Sequence, residues 1–431
     1  MRFLLSISRL FLQVAFLRAL CIFLFLLVCA PVAGAKKNLS LAEAERMAVR
    51  QSLEVRLAGA DVRIRKGMRK EASGTYYPQV HSRVVAPFVG HESGFFADQV
   101  IWDFGRTKNR VKSSKSLVSS AKYSKKNAEN KAVTRARKAF YAVILNEARL
   151  VYAEKNRLHA GMRLEKSIIL ARNGRISPLE LAQQESDEKN IIFQLNGAQN
   201  GVESARFDFF QLLGIEDTGD ITLVPPQDSE EILPPVKELL ADVLKDNPTL
   251  LALAEQLKSD KAKIAAAKAE FLPILYGRVA YRFEGEGAHT DAPDFIAGAG
   301  ATIPLFKGFS RFGTLDKTRA VRERTEIEIA LEKQRLEREV KRLLLDITHA
   351  DEYIELSRRV LGTAEKKLIL AREKAELGAA SKLDLVFSEK EYANFYLKYE
   401  ESLYNKRALV ADLKFLAGLD TAEEWVVEVE K

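Results

Sequence analysis

The sequence predicts a mainly α-helical chain with a small β part, in which a strand hairpin and a very long helix occur twice in the same order. Three observations predict it. The two halves repeat one another at a nearly constant offset, and each holds a long run free of proline. Just before each run the hydrophobic period shortens from that of a helix to that of a strand.

The repeat is read from paired motifs. Tyr77-Pro78 answers Leu272-Pro273 at an offset of 195, and Gly105 answers Gly308 at 203. Gly174 and Gly378, Ser177 and Ser381, and Leu212-Leu213-Gly214 and Leu416-Ala417-Gly418 then pair at 204. The copies are residues 36–225 and 226–431, and the second carries about eight extra residues between its proline and its glycine, where loops accept insertions.

The opening segment differs in kind. Arg2, Arg9 and Arg18 are its only charges, Ala19 to Val28 is apolar, and Ala33-Gly34-Ala35 is a small-residue cleavage pattern, so residues 1–35 read as a secretory signal peptide. A membrane anchor needs ~20 apolar residues, longer than this run. Both cysteines, Cys21 and Cys29, lie inside it, which leaves no thiol chemistry for the rest of the chain. Its removal takes the formal charge from +8 to +5.

Ser40-Leu41-Ala42-Glu43 is a capping box and predicts one helix from there to just before Pro78. A hairpin follows at about 79–104, with strands Val80 to Val89 and Phe95 to Trp102 around a turn at Gly90 to Gly94. His81, Arg83 and Asp98 limit how apolar one face of it can be. The second hairpin, about 274–305, alternates more cleanly: Val279, Tyr281 and Phe283 stand between Arg278, Ala280 and Arg282, and the return strand runs from Phe295 to Ile303.

The long helices are predicted at about 107–173 and 312–377. Between Thr107 and Asn173 there is no proline and Gly161 is the only glycine, enough for about 100 Å of helix at ~1.5 Å per residue. Leu336, Val340, Leu343, Ile347, Ala350, Ile354 and Leu361 recur at 4 and 3 as a coiled-coil seam, and Ala132, Ala136, Ala139, Val143, Asn146 and Leu150 repeat it with smaller residues. Asn173-Gly174 stops the first long helix, and Ser177-Pro178-Leu179-Glu180 caps a returning helix at about 178–213. Gly378 and Ser381-Lys382-Leu383-Asp384 do the same before a returning helix at about 382–417.

Two hairpins give four strands, too few to close a barrel. In a membrane every backbone group must be paired, so closure requires several copies of the chain. The succession of capped helix, Tyr-Pro or Leu-Pro before a strand, hairpin, Ile101-Trp102-Asp103-Phe104-Gly105-Arg106, long helix, glycine turn and returning helix, all duplicated over residues 40–420, resembles the TolC-like outer membrane efflux protein family. The resemblance implies a homotrimer with a twelve-stranded β-barrel in the outer membrane, continued by a periplasmic α-helical coiled-coil barrel. It implies an outer-membrane channel in a tripartite efflux or type I secretion system, in contact with outer-membrane lipid, a periplasmic adaptor protein and, through it, an inner-membrane transporter. By position the adaptor would meet Arg172, Asn173, Gly174, Arg175, Ile176 and Ser177 in one tip and Leu377, Gly378, Ala379, Ala380 and Ser381 in the other. The same residues also turn the chain. Glu373 and Glu376 are candidates for an acidic ring gating the lumen, against a simple solvated face; an aspartate pair, usual in the family there, is missing.

One stretch belongs to no motif. Residues 106–138 hold twelve lysines and arginines against the single acid Glu129, suited to anionic solutes or lipid headgroups, or to a solvated face. Tyr123 is its only aromatic, which speaks against nucleic acid. The five histidines, His81, His91, His159, His289 and His349, have no metal-ligand spacing, and no phosphate loop or nucleophile motif occurs, so neither an enzyme nor a cofactor is expected. The alternative class is a secreted or tethered coiled-coil scaffold, and the cargo, whether drug, protein or small anion, is not written in the residues.

Overall fold

The computed structural model describes residues 37–84, 93–217, 219–225, 234–282, 294–306 and 308–418. The expected signal peptide, most of the first hairpin turn and Phe283 lie outside them. The described elements of the first copy are β1 (Lys37–Ser40), α1 (Leu41–Gln51), α2 (Leu53–Gly74), β2 (Gln79–Arg83), β3 (Gly94–Trp102), α3 (Arg106–Arg172) and α4 (Pro178–Leu213). β4 (Ile221–Val224) closes the first copy, and the second holds α5 (Val236–Asp246), α6 (Pro248–Ala269), β5 (Ile274–Arg282), β6 (Asp294–Thr302), α7 (Ser310–Glu376) and α8 (Lys382–Ala417). Corresponding helices have equal lengths: 67 residues in α3 and α7, 36 in α4 and α8.

The expected single helix from Ser40 is in fact two. Ser40 and Glu43 close the capping box that starts α1, but Ser52 leaves the helical region at ψ 118 and accepts a hydrogen bond from the Val55 amide, capping α2. Asn247, 195 residues on, does the same before Pro248, accepting from the Thr249 and Leu250 amides. Without a proline of its own, the first break is hidden in the sequence.

These breaks let the short helices stack. In the half of the molecule nearer the strands the helices lie in the order α2, α3, α6, α7; in the other half the order is α4, α3, α8, α7. Each long helix therefore runs the length of the layer, while α2 with α4, and α6 with α8, meet end to end beside it. The joints are tight. Gly214 ends α4 at φ 68, and a Cβ there would stand 2.9 Å from Gln51; Gly418 ends α8 at φ 68, and a Cβ there would stand 2.6 Å from the Asp246 carbonyl oxygen.

The two hydrophobic cores sit at these joints, near the middle of the long helices. In one, Leu39, Ala44 and Ala48 of β1 and α1 pack on Ala136, Phe140 and Val143 of α3 and on Phe209, Phe210 and Leu213 of α4. In the other, Leu239 and Val243 of α5 pack on Leu336, Val340, Leu343 and Ile347 of α7 and on Leu413 and Leu416 of α8. The predicted coiled-coil seam is thus largely the floor under a short amphipathic helix. A two-stranded parallel sheet, β1 with β4, joins the two ends of the first copy at this level and was not foreseen, because four-residue strands paired across 184 positions carry no local signal. α1 with β1 and β4 forms a collar over α3 and α4, and α5 covers α7 and α8 at the same level.

Candidate functional site

At the far end from the strands, α3 closes on a two-bond glycine turn. Gly174, at φ 66, donates to the Ala171 carbonyl at 2.9 Å, and Arg175 donates to the Leu170 carbonyl at 2.9 Å. Ser177 then accepts from the Glu180 amide at 3.2 Å while its own amide donates to Glu180 at 2.9 Å. The second tip repeats the device: Gly378 at φ 70 donates to Ala375, Ala379 donates to Lys374 at 2.8 Å, and Ser381 with Asp384 forms the capping box. The hydrogen bond from Ser381 holds the Asp384 carboxyl below its ordinary pKa.

The amides of Asn173, Gly174 and Arg175 in one turn and of Leu377, Gly378, Ala379 and Ala380 in the other bond within the turn. Arg172, Asn173, Arg175, Leu377 and Ala379 are exposed, and Ile176 and Ala380 are half-buried. Leu179 and Leu377 stand 79% and 83% exposed, large apolar groups at the two ends where folding alone offers them nothing. The tips lie at the same end because α8 returns along α3. Lys138 meets Asp412 at 2.6 Å, Arg149 meets Glu401 at 3.2 Å and Lys155 meets Glu389 at 2.8 Å, a ladder that sets the height of one hairpin against the other. Exposed pairs of this kind contribute ~0–1 kcal/mol each, so their role is register more than stability.

Below this ladder His159 is buried against Phe387, ring centres 5.4 Å apart, and burial with Lys390 and Arg163 nearby lowers its pKa. Glu373 and Glu376 are exposed on the last turns of α7 and make no ion pair among the described residues. Neither stands at a seam position, which Leu368 and Ala364 occupy.

At the other end, β2, β3, β5 and β6 form a four-stranded antiparallel sheet in that order. Its register separates two faces. Gln79 is opposite Asp98 and His81 opposite Phe96; Asp98 is opposite Arg278, and Phe96 opposite Ala280. Residues opposite one another share a face, so His81, Arg83, Asp98 and Arg278 all lie on one side, where Asp98 accepts from Arg278 at 2.6 Å and His81 stacks on Phe96. The other side carries Val80, Phe95, Ala97, Val279, Tyr281, Phe295, Ala297 and Ala299. The three polar residues that weakened the first hairpin in the sequence, His81, Arg83 and Asp98, do not interrupt the apolar face. They share the face opposite the apolar one.

The basic run on α3 is mostly paired, by acids that the sequence did not connect to it. Arg106 and Arg110 both reach Glu270, the residue that caps the end of α6, at 2.9 and 3.1 Å; Lys131 and Arg135 reach Glu54 on α2, at 3.2 and 2.7 Å. Arg137 meets Glu45 on α1, and burial keeps the Glu45 pKa raised despite that partner. Lys108, Lys112, Lys115 and Lys122 are exposed and make no ion pair among the described residues. Also among the described residues, no His, Cys, Asp and Glu cluster has a metal-holding arrangement, and no helix is long and apolar enough to cross a membrane.

Three comparisons bear on these features. Residues 239–418 match the model of the family described as outer membrane efflux protein. No curated protein matches the chain in sequence. Among solved structures, the CmeC outer membrane channel of Campylobacter jejuni is similar at 14% identity and a TM-score of 0.71, over 89% of this chain and 87% of that one. The outer-membrane channel OprN is similar at 17% identity and 0.71, covering 88% and 89%. The open state of the MtrE outer membrane channel of Neisseria gonorrhoeae is similar at 17% identity and 0.69, covering 88% of each.

Proposed function

We infer that this chain, TolC-like in fold and carrying the outer membrane efflux protein pattern in residues 239–418, is an outer-membrane efflux channel: a passive exit duct and not an enzyme. The observation that carries the reading is the two-faced sheet with both edges open. Among the described residues β2 and β6 each lack a neighbour on one side, and an apolar face backed by a charged one suits a barrel wall between lipid and a wet lumen. The helix layer is open in the same way. Leu53, Leu57, Phe193 and Phe207 are exposed on the α2 and α4 flank, and Leu331, Leu345, Tyr353 and Leu356 on α7 at the other.

Three copies joined edge to edge would give twelve strands in the outer membrane and a helical tunnel in the periplasm. In this reading the tips, with Leu179 and Leu377, dock a periplasmic adaptor that recruits an inner-membrane transporter, serving efflux or type I secretion, and Glu373 and Glu376 line the narrowing lumen. Outside residues 1–35 the sequence has no cysteine, so single-cysteine pairs test the ring directly. A panel joining Val80→Cys on β2 with Ala297→Cys, Ala299→Cys or Ala301→Cys on β6 is expected to give covalent trimers from membrane extracts, heat-modifiable without oxidant, that conduct in planar bilayers. A soluble monomer with no cross-link in any pair would overturn the channel and favour a coiled-coil scaffold.

A further inference from the structure

Lys108, Lys112, Lys115, Ser119, Lys122 and Lys126 recur on α3 at intervals of 4 and 3, which places them on one face of the helix. The same count continues through Glu129 and Val133 to Ala136, Phe140 and Val143, the residues covered by β1 and α1. The lysines therefore face the side of the layer that carries the collar. Resting on the channel reading, that side is the outside, because a collar within the lumen would obstruct it.

The stripe is not a demand of the fold. At the corresponding positions of α7, 204 residues on, stand Phe312, Asp316, Arg319, Glu323, Glu326 and Ala330, where Arg319 bonds Asp316 at 3.3 Å. On α3 itself, the cations that point sideways at α2 and α6 are neutralised by Glu54 and Glu270. Only the outward stripe holds a row of lysines without partners among the described residues.

Its upper end begins six residues after Trp102 and four after Phe104. Trp102 is 57% exposed, and Tyr77, at the start of the same sheet, 69%. Exposed Trp and Tyr at the base of a membrane sheet mark the level of the lipid headgroups. From Lys108 to Lys115 the helix descends about 10 Å, the scale of a headgroup layer plus the reach of a lysine stem that bends towards it. Lys122 lies about 10 Å deeper again, a further Debye length away.

We propose that Lys108, Lys112 and Lys115 form a docking surface for anionic phospholipid headgroups in the leaflet nearest the helices, once per protomer. The chain has two tryptophans, so Trp425→Phe leaves Trp102 as the sole reporter. The full-length trimer of this variant is reconstituted in phosphatidylcholine vesicles doped with brominated phosphatidylglycerol or, in parallel, brominated phosphatidylcholine, and quenching of Trp102 is read at low and high salt. At low salt the anionic lipid is expected to be preferred by about fivefold or more, the effect of roughly one lysine near a charged surface. The preference should fall to unity with Lys108→Gln, Lys112→Gln and Lys115→Gln combined, fall partway with Lys112→Gln alone, and persist with Lys122→Gln. Equal quenching by both lipids in the parent overturns the headgroup surface. A loss with Lys122→Gln as large as with Lys112→Gln overturns it in favour of a long polyanion along the whole stripe. Absence of quenching by either lipid instead overturns the placement of the sheet in a membrane, so the two readings fail separately.

Discussion

At the residue scale, the two joint glycines make unequal demands despite their equal φ. A methyl at Gly418 would meet the Asp246 carbonyl oxygen at 2.6 Å and the Pro248 ring at 2.7 Å, both held by backbone, whereas one at Gly214 would meet the movable side chain of Gln51. Gly418→Ala is expected to destabilise by about 1–3 kcal/mol, and Gly214→Ala by less, read as the midpoint of thermal unfolding. His159 supplies a pH dependence. Its folded pKa lies below the ordinary 6.5, so the unfolded chain holds the proton more tightly, and its contribution is fully present above pH 6.5 and is lost as pH falls towards the folded value. Amide exchange in α3 and α8 around His159 and Phe387 should therefore quicken from pH 7.5 to 5.5, and His159→Phe, which keeps the ring contact, should remove the change. The polar residues of the first hairpin teach a matching lesson about reading sequence. Asp98 is three positions from Phe95, and the register of β2 on β3, with Gln79 against Asp98, puts it on the face of His81 and Arg83; its ion-pair partner Arg278, 180 residues on, leaves no trace in a local window.

At the element scale, starts and stops were legible where one residue type does one job. Ser177 with Glu180, Ser381 with Asp384, Gly174 and Gly378 fix both hairpin tips in the sequence because caps and left-handed turns are local chemistry. The break at Ser52 was not legible, since serine also sits inside helices, and its counterpart shows itself through Pro248. The proposed use of the tips as a docking surface rests on resemblance alone. It has a direct check. Leu179→Asp with Leu377→Asp should leave the dissociation temperature of the trimer unchanged, because neither side chain is packed, and should weaken capture by an immobilised periplasmic adaptor on the order of tenfold or more. Unaltered capture would leave these residues with the turn alone.

At the scale of the whole molecule, the duplication was the strongest signal, because correspondences that keep their order over most of a chain do not depend on any single element. What the offsets could not convey is that two copies make one layer. α8, from the second copy, lies between α3 and α7, and β5 lies against β3, so the copies interlock along their full length. That arrangement leaves two flanks of different composition: β2, α2 and α4 on one, and β6 and α7 on the other. In the ring proposed above, copies meet with one kind of flank against the other, a heterologous joint, which closes when the turn from copy to copy divides the circle and otherwise runs on as an open series. A protomer damaged on α7 alone would still present a sound α2 and α4 flank. It would take its place beside a normal copy and leave the circle unfinished, so such a variant would disable the intact chains made alongside it.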